Sequence, residues 1–572
     1  MTGKSVRSKL TGKMAVLLLG ALVMLLAACG GTSGPSTSNG PTTTTLRMTP
    51  APGQTIGDLF NPYFNNNQGS DFGTQGLLFE TLYYTNLYNG QTTPWLAQSY
   101  QYSSDLTTLT FKLRTDVKWN DGTPFTADDV VYTFTAMQKN ASLDANGIWA
   151  STLKSVSSTD ASTVVFTLKH ADSTALFHIG DQVFIVPQHV WSKQTGDLSK
   201  FANDQSPVGT GPYTLKSFNQ SLITYVANPN YWGTKPAVKT IEIPSIKDNT
   251  TAITAMVTGK LDWMGTGWNP DLDPQFTGKD PKHNFTWFAP SNTVNLYLNL
   301  THAPFNNLLV RKAISAAINR DALPNGVAKY AKVTNITGVI PSFSQWIAPE
   351  YQNQAFEYGA DKADAYLEQA GFKKDSKGFY ADASGKELAF QIDVPGSWSD
   401  WAQDVQNIVH DLQAAHINAS TNFQSGYDPY YTAISTGAYD AAVSWTNSGA
   451  TPYYDYQGLL QSTNGVGKVV AGTNFERWNA QTGGQYAAQI DAALAKYESS
   501  NDQATQIAAI QEIEKIAVEQ LPVLPLTANV AWDEYTTTHW TGWPTAENPY
   551  GYGAPYQAPD FEMVILKLTP AA

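Results

Sequence analysis

The sequence predicts an α/β protein of two or three domains. Strand patterns are the first observation: Leu109, Phe111 and Leu113 alternate with polar residues, which is the period of a half-buried strand. Helical patterns are the second, since Val130 and Phe134 place apolar side chains on one face of the next segment. Length is the third, because over 500 residues remain after the first 28. Further helices are predicted at residues 306–320, 361–370, 398–415 and 503–520.

A single stretch, residues 106–134, connects these patterns and reads LTTLTFKLRTDVKWNDGTPFTADDVVYTF. After the strand, Asn120-Asp121-Gly122 predicts a turn, and Thr126 with Asp129 predicts a helix start with a capping box. The whole phrase resembles the signature of the family 5 solute-binding proteins, the extracytoplasmic receptors of oligopeptide-type ABC importers. The resemblance extends over nearly all of residues 46–568.

This resemblance implies a fold of the type II periplasmic-binding-protein kind, with two main lobes, an extra inserted domain and the ligand in the interlobe cleft. The implied segments are 46–77, 206–291 and 524–572 for lobe I, 78–205 for the inserted domain II, and 292–523 for lobe III. Such lobes close over a ligand by a hinge motion. We therefore expect a monomeric receptor that hands its solute to an ABC permease, without enzyme activity or a cofactor.

The first 28 residues have the composition of an export signal. Four Lys and Arg residues precede an apolar run at residues 14–26, which is shorter than the ~20 residues that span a bilayer. The following Leu-Ala-Ala-Cys resembles a bacterial lipobox and makes Cys29 the expected site of lipidation. Residues 29–45 lack large apolar side chains and predict a flexible linker. The alternative is an ordinary signal peptide followed by a coincidental cysteine.

Composition limits the class of ligand. The formal net charge is −13, and loss of the four basic residues of the leader makes it −17, which argues against nucleic acid as a partner. Cys29 is the single cysteine, so an intramolecular disulfide is excluded. Charged residues are 15% of the chain and aromatic residues 12%. This balance favours an uncharged ligand with rings or apolar faces, although a large α/β protein also buries aromatic side chains. The expected location is outside the cytoplasm, anchored to the cell membrane through Cys29.

Two loops resemble segments that approach the ligand in this family. Residues 59–64 resemble the N-terminal Asn-Pro loop, which makes Asn61 and Tyr63 candidate ligand contacts; a plain turn is the alternative. The glycine-rich loop after the predicted strand at residues 261–263 carries Trp268, a third candidate.

Two other phrases bear on local structure alone. Residues 77–84 (LLFETLYY) have helix-like spacing of apolar residues. The phrase GTGPY at residues 209–213 predicts a tight turn into a strand, because a phosphate loop would be followed by Lys-Ser/Thr and a helix.

The sequence contains no known catalytic signature such as G-x-S-x-G, H-E-x-x-H, C-x-x-C or a Walker loop. His410 and His416 are six residues apart and fall on different helix faces, so we expect no metal site there. A secreted carbohydrate-active enzyme is the alternative function from another class.

Residues 439–452 resemble a family phrase in which a Trp lines the cleft and an Asp neutralises the α-ammonium group of a bound peptide. Trp445 matches that Trp, and Asn447 lies beside it. Ser448 occupies the position of the Asp. Because burial of an unpaired ammonium group costs several kcal/mol, a free peptide N-terminus is poorly served here. Asp455 or Asp428 could supply the missing charge.

Residues 540–550 resemble the C-terminal segment of family members that bind cello-oligosaccharides. The candidates in this segment are Trp543, Asn548 and Tyr550. Sugars stack their C–H faces on indole rings, and each stacked ring is worth about 2.5 kcal/mol for ~100 Å² of apolar surface. Core packing is the alternative role for any one of these Trp residues. The sequence therefore favours an oligosaccharide ligand, with an oligopeptide as a close second and nickel or haem as more distant choices.

Overall fold

Three large β-sheets, of seven, five and four strands, form the scaffold of the part of the chain that the structure describes. The computed structural model describes residues 43–571 except 51, 55, 64–70, 266–271 and 326–329. The predicted leader, Cys29 and most of the predicted linker lie outside the described residues.

The described strands, in chain order, are β1 (Thr45–Thr49), β2 (Tyr83–Asn86), β3 (Gln91–Pro94), β4 (Ala97–Tyr102), β5 (Thr108–Leu113), β6 (Leu153–Asp160), β7 (Thr163–Leu168), β8 (Tyr213–Asn219), β9 (Leu222–Ala227), β10 (Thr240–Pro244), β11 (Trp263–Met264), β12 (Asn284–Thr286), β13 (Ala289–Leu298), β14 (Lys373–Lys374), β15 (Tyr380–Ala381), β16 (Ala389–Pro395), β17 (Asn418–Gln424), β18 (Ala441–Trp445), β19 (Leu524–Ala531), β20 (Glu534–Thr536), β21 (Trp540–Thr541) and β22 (Thr569–Pro570).

The described α-helices are α1 (Ala127–Lys139), α2 (Ile148–Ser151), α3 (Ala175–Gly180), α4 (Gln188–Trp191), α5 (Asn249–Val257), α6 (Leu308–Ala317), α7 (Ala360–Gln369), α8 (Ser399–Ala414), α9 (Tyr427–Thr436), α10 (Pro452–Leu460), α11 (Gln485–Glu498), α12 (Gln503–Gln520) and α13 (Asp560–Lys567). The four helices predicted between residues 306 and 520 are confirmed as α6, α7, α8 and α12. Within the described ranges, no helix has the length and apolar character needed to cross a membrane.

The seven-stranded sheet has the order β12-β20-β11-β1-β10-β9-β8. β1 lies at its centre and pairs in parallel with β10 and β11. Leu46 and Met48 of β1 are fully buried. The strands of this sheet come from three separate parts of the chain, 45–49, 213–286 and 534–536, so residues distant in sequence share one core.

The five-stranded sheet has the order β17-β16-β18-β13-β19. β16 pairs in parallel with both β17 and β18, so the carboxyl ends of these three strands meet at one edge of the sheet. β19 begins at Leu524 and pairs antiparallel with β13, although the predicted lobe I takes in residues 524–572. The limits of the lobes stay a prediction.

The four-stranded sheet, β4-β5-β7-β6, is antiparallel and contains the strand of the family phrase. Leu109, Phe111 and Leu113 of β5 are buried, as the alternation predicts. The backbone N–H of Thr126 donates to Oδ2 of Asp129 at 2.9 Å, and α1 starts at the next residue. The predicted strand, turn and helix are therefore confirmed.

The helix-like spacing of residues 77–84 is misleading, because no helix forms there. The carbonyl oxygens that a helix would use are taken by the GTGPY turn: Gly211 N–H donates to Leu78 O at 3.0 Å, and Tyr213 N–H donates to Leu77 O at 3.1 Å. The chain instead enters β2 at Tyr83. Tertiary hydrogen bonds override the local pattern, and the predicted tight turn into a strand is confirmed by β8.

Buried carboxyl groups make the stability of the fold depend on pH. Burial raises the pKa of many described carboxyl groups, to about 7 for Glu80, Asp181, Glu514 and Asp560 and to about 8 for Asp404 and Asp455. Burial also raises the pKa values of Glu476, Asp533 and Glu562 well above the ordinary range. At a pH between the unfolded and the folded pKa values, such a group is protonated in the folded state and ionised in the unfolded state. The stabilisation is therefore present below the unfolded pKa of about 4 and is lost as the pH rises through about 7 to 8.

We expect the free energy of unfolding to fall as the pH rises from about 5 to about 8.5. Urea unfolding across this range measures the slope. The Asp455→Asn variant removes one of these groups and should have a shallower slope than the wild type. A free energy that stays constant or rises with pH would contradict this account of the buried carboxyl groups.

Candidate functional site

Trp445 ends β18 in the middle of a group of aromatic rings. Its ring centroid lies 5.5 Å from that of Trp398, 5.3 Å from that of Trp401 and 6.1 Å from that of Tyr427. The ring planes of Tyr427 and Trp445 are nearly parallel, at an angle of 10°. Trp398 and Tyr427 are stacked at 5.8 Å. We call these four side chains the aromatic platform.

The parallel strands bring the platform together. Trp398 follows the carboxyl end of β16 and precedes α8, and Tyr427 follows the end of β17 and begins α9. Because β16, β17 and β18 end at the same edge of the sheet, residues far apart in sequence meet there. In α/β proteins the carboxyl edge of a parallel sheet is the usual place for a ligand.

A cavity of about 180 Å³, which we call the side cavity, adjoins the platform. Its lining includes Tyr427, Tyr431, Trp445, Asn447, Thr473 and Phe475, and no charged side chain occurs among its described lining residues. Tyr427 and Tyr431 are 38% and 40% exposed, so their rings are open to solvent. The cavity offers aromatic faces together with neutral hydrogen-bonding groups.

The hydroxyl group of Ser448 is hydrogen-bonded within the protein. Its hydroxyl accepts a hydrogen bond from Nδ2 of Asn292 at 3.2 Å and donates to Ser291 O at 3.3 Å. Nδ2 of Asn292 also donates to Thr446 O at 2.9 Å, so these contacts fix the loop after β18. Among the described residues, the side chain of Asn447 has no hydrogen-bond partner.

The two alternative ammonium partners differ in their surroundings. Asp455 is buried, accepts a hydrogen bond from Oγ1 of Thr446 at 2.8 Å, and burial raises its pKa to about 8. It is therefore mostly uncharged at neutral pH. Asp428 lies exposed in the first turn of α9.

Asn61 and Tyr63 lie apart from the platform, in contact with the domain II segment. Asn61 is fully buried, and its Nδ2 donates to Leu198 O and Phe201 O, both at 2.9 Å. Its Oδ1 accepts from the backbone N–H of Tyr63 at 2.8 Å. Tyr63 donates its hydroxyl to Phe184 O at 2.5 Å. These bonds favour a structural role, and a ligand contact by either residue stays a prediction.

Replacement of Asn61 by alanine tests that structural role. The variant would leave Phe201 O and the backbone N–H of Tyr63 without their partner, whereas Leu198 O would keep its bond from the Phe201 N–H. We therefore expect the free energy of unfolding to fall by about 2–4 kcal/mol. Urea unfolding measures this loss, with the exposed Asn548→Ala variant as a control expected to change by less than about 0.5 kcal/mol. A loss of ligand affinity without a loss of stability would assign Asn61 to the ligand site instead.

The C-terminal candidates also lie outside the platform. Trp543 is 5% exposed, stacks on Tyr535 at 4.9 Å, and donates its indole N–H to Trp540 O at 3.0 Å. Tyr550 donates its hydroxyl to Gly542 O at 2.5 Å. Asn548 is exposed on a turn. The packing of Trp543 disfavours a ligand contact, and Trp268 lies outside the described residues.

The turn between β2 and β3 links the C-terminal segment to the loop after β18. Asn86 donates through Nδ2 to Pro549 O at 2.9 Å, and Tyr552 donates its hydroxyl to Leu87 O at 3.4 Å. Gly90 of the same turn packs closely against the loop after β18, since a Cβ at this position would lie 2.6 Å from Ala450 O. The two regions that sequence analysis singled out are thus bridged by residues 86–90.

The structure adds residues of the platform and of the side cavity that the sequence analysis missed. Trp398 and Trp401 are three residues apart at the start of a predicted helix, and Tyr427 and Tyr431 are four apart on α9. Such spacings place the members of each pair on one helix face. The spacing was a usable signal for each pair, but the convergence of Trp398, Trp401 and Tyr427 on Trp445 follows only from the sheet register.

The described residues include no cluster of metal-binding side chains. No group of three or more His, Cys, Asp or Glu side chains in these ranges is placed to hold a metal ion. The side chain of His410 is largely exposed and lies 3.7 Å from Asp411.

Comparison with solved structures places the fold among the type II periplasmic binding proteins, as the sequence predicts. A periplasmic oligopeptide-binding protein of an oligopeptide ABC transporter from Thermotoga maritima has a TM-score of 0.83 and 26% identity, with 92% of this chain and 99% of that chain covered. A second crystal structure of that protein, bound to mannohexaose, has a TM-score of 0.78 and 25% identity, with 92% and 98% covered.

Sequence comparison then gives the family. The family model described as bacterial extracellular solute-binding proteins, family 5 middle, matches residues 91–467. The chain belongs to this family, so the resemblance stated from the sequence is confirmed.

Two curated relatives illustrate the range of this similarity. The nickel-binding periplasmic protein of Escherichia coli (strain K12) is 31% identical over 320 residues, which are 54% of this chain and only 59% of that protein. The probable ABC transporter periplasmic-binding protein SapA of the same organism is 25% identical over 505 residues, which are 82% of this chain and 86% of that protein.

Proposed function

We propose that this protein is the substrate-binding lipoprotein of an ABC importer and that it captures short neutral oligosaccharides outside the membrane. The aromatic platform beside an uncharged cavity carries the proposal. Pyranose rings present apolar C–H faces that stack on Trp and Tyr, and hydroxyl groups that pair with amide and hydroxyl side chains. Trp445 and Tyr427 supply such faces, and Asn447 supplies an amide.

An oligopeptide is the second candidate, because the Thermotoga maritima protein is described as an oligopeptide-binding protein of an ABC transporter. SapA is described as a probable periplasmic-binding protein of an ABC transporter. The contacts around Ser448 count against it. Ser448 brings no charge, and ionising the buried carboxyl group of Asp455 is costly unless the ligand itself supplies the partner. The mannohexaose complex of the Thermotoga maritima protein supports a sugar, since it has an oligosaccharide bound to a protein of this fold.

Delivery to the permease would follow from closure of the lobes around the ligand. The turn at residues 86–90 contacts both the loop after β18 and the C-terminal segment. A change in the position of either segment would therefore change the contacts of this turn. A ligand that binds the closed arrangement more tightly shifts the population toward it. The permease would then distinguish loaded from empty receptor by shape.

Anchoring through lipidated Cys29 would keep the receptor close to the permease. A diacyl anchor on a flexible linker holds a protein at the membrane surface. Membrane fractionation of cells, with mass spectrometry of the protein, tests this part. The Cys29→Ala variant should be absent from the membrane fraction, and its mass should lack the attached lipid. A Cys29→Ala variant that stays membrane-bound would contradict the anchor, and the ligand proposal would remain standing.

The enzyme alternative makes a different prediction from the receptor. A carbohydrate-active enzyme would release reducing ends from cellopentaose or mannohexaose on incubation, and a receptor returns them intact.

A thermal-shift panel tests the ligand class. A ligand that binds only the native state raises the melting temperature in proportion to ln(1 + [L]/Kd). We expect cellobiose to cellopentaose or mannohexaose to raise the melting temperature, and di- to pentapeptides to leave it unchanged. Stabilisation by the peptides alone would assign the protein to peptide transport.

A further inference from the structure

The side cavity has the walls of a ring-binding pocket. Tyr427 and Tyr431 stack on each other at 5.5 Å, and Phe475 meets Tyr431 edge-on at 6.1 Å. Tyr430, deeper in the cavity, donates its hydroxyl to Val443 O, so it contributes a ring face and no free hydroxyl. Tyr427 and Tyr431 are partly exposed to solvent, whereas Tyr430 and Phe475 are buried.

Close contact between two glycines brings two lining side chains of the cavity near each other. A Cβ on Gly472 would lie 2.7 Å from Gly458 O, and a Cβ on Gly458 would lie 2.4 Å from Nδ2 of Asn447 and 3.2 Å from Oγ1 of Thr473. The absence of side chains at both positions therefore brings Asn447 and Thr473 together. Any larger residue at position 458 would displace them.

Thr473 has a hydroxyl group without a partner. The residue is 5% exposed, and its Oγ1 forms no hydrogen bond with any residue that the structure describes. A buried hydroxyl left unpaired destabilises a fold, so native structures nearly always pair such groups with protein, water or ligand. Asn447 beside it has an amide without a partner in the described chain. Asn447 is half-buried, so solvent or a ligand can reach its amide, and Thr473 is the one of the pair whose hydroxyl is buried without a partner. A buried unpaired hydroxyl beside an accessible amide, at an aromatic pocket, suits hydrogen bonding to a ligand.

We propose that the side cavity is a subsite for one sugar ring of the oligosaccharide, with Thr473 and Asn447 selecting the ring by hydrogen bonds to its hydroxyl groups. The proposal rests on the proposed function and specifies which part of the ligand enters where. The volume of about 180 Å³ lies below the ~300–1,000 Å³ of sites for whole drug-sized ligands. One unit of an oligomer therefore occupies the side cavity, and the neighbouring units lie along the platform.

The Thr473→Val variant separates a ligand role from a structural one. Valine has the shape of threonine without its hydroxyl, so removal of an unpaired group should leave the melting temperature of the free protein equal or higher. If the hydroxyl binds sugar, the affinity for cellotriose or mannohexaose, measured by calorimetry, should fall roughly tenfold, the effect of one hydrogen bond. Gly458→Ala, which pushes on Asn447, should also weaken binding.

The control is Thr210→Val, which changes a fully buried threonine in the GTGPY turn and should leave the affinity unchanged. Wild-type affinity in Thr473→Val, together with equal or higher stability, would overturn the subsite while the oligosaccharide function stands. No binding of either sugar by the wild type would overturn the proposed function, and the subsite with it. Equal affinity losses in Thr473→Val and Thr210→Val would also refute the subsite, because the effect would then not be local.

Discussion

Replacement of Trp445 by alanine is expected to weaken ligand binding by at least about tenfold. The indole is the central ring of the platform, in contact with Trp398, Trp401 and Tyr427. A ring face that covers ~100 Å² of a sugar contributes about 2.5 kcal/mol, which corresponds to more than tenfold in affinity. Calorimetry with cellopentaose and mannohexaose measures the change.

Two controls make the result interpretable. Trp445→Phe keeps an aromatic face and should retain part of the affinity, whereas Tyr358→Ala removes an exposed ring outside the platform and should have no effect. Because Trp445 also packs against Trp398 and Trp401, urea unfolding must show that Trp445→Ala is folded under the conditions of the titration. Unchanged affinity in a folded Trp445→Ala protein would remove this residue from the site.

The second large effect concerns stability. Replacement of Gly211 by alanine is expected to destabilise the fold by at least about 3 kcal/mol. Its Cβ would lie 2.3 Å from Leu77 O, and a Cβ on Gly209 would lie 1.9 Å from Leu78 O. Neither carbonyl group can move away freely, because Leu78 O accepts from Gly211 N–H and Leu77 O from Tyr213 N–H. The clash is therefore with fixed backbone.

Urea unfolding of Gly211→Ala and Gly426→Ala side by side measures this effect. Gly426 has an extended backbone with a φ of 172°, and a Cβ there would meet no atom within 4 Å, so its variant should change stability by less than about 0.5 kcal/mol. Similar stabilities for the two variants would show that the turn tolerates a side chain, contrary to the packing described above.

Local patterns predicted local structure well where no distant segment competed. The strand at Leu109–Leu113, the capped helix at Thr126 and the long helix α12 follow from alternation, capping and helical spacing, all of which are encoded within a few residues. Residues 77–84 show the limit: their apolar spacing is helical, but the carbonyl groups that a helix needs are paired with residues about 130 positions later. No local pattern contains that information.

The candidate site was predicted only in part, for a related reason. Trp445 and Asn447 were found because they belong to a contiguous phrase, and both line the side cavity. Trp398, Trp401 and Tyr427 reach Trp445 only through the parallel register of β16, β17 and β18. Asn61 and Trp543 had the right residue type for a ligand contact, and their burial and internal hydrogen bonds come from partners that the sequence does not reveal.

The central claim is that aromatic faces and neutral polar groups, without an ionic partner, hold the ligand. Calorimetry of cellopentaose and tetraalanine at about 20 mM and about 500 mM salt tests it most directly, because salt screens exposed ionic contacts and leaves stacking nearly unaffected. The account predicts measurable binding of the oligosaccharide, with equal affinity at both salt concentrations, and no binding of the peptide. Binding of tetraalanine that weakens as salt is added, without binding of the oligosaccharide, would contradict it.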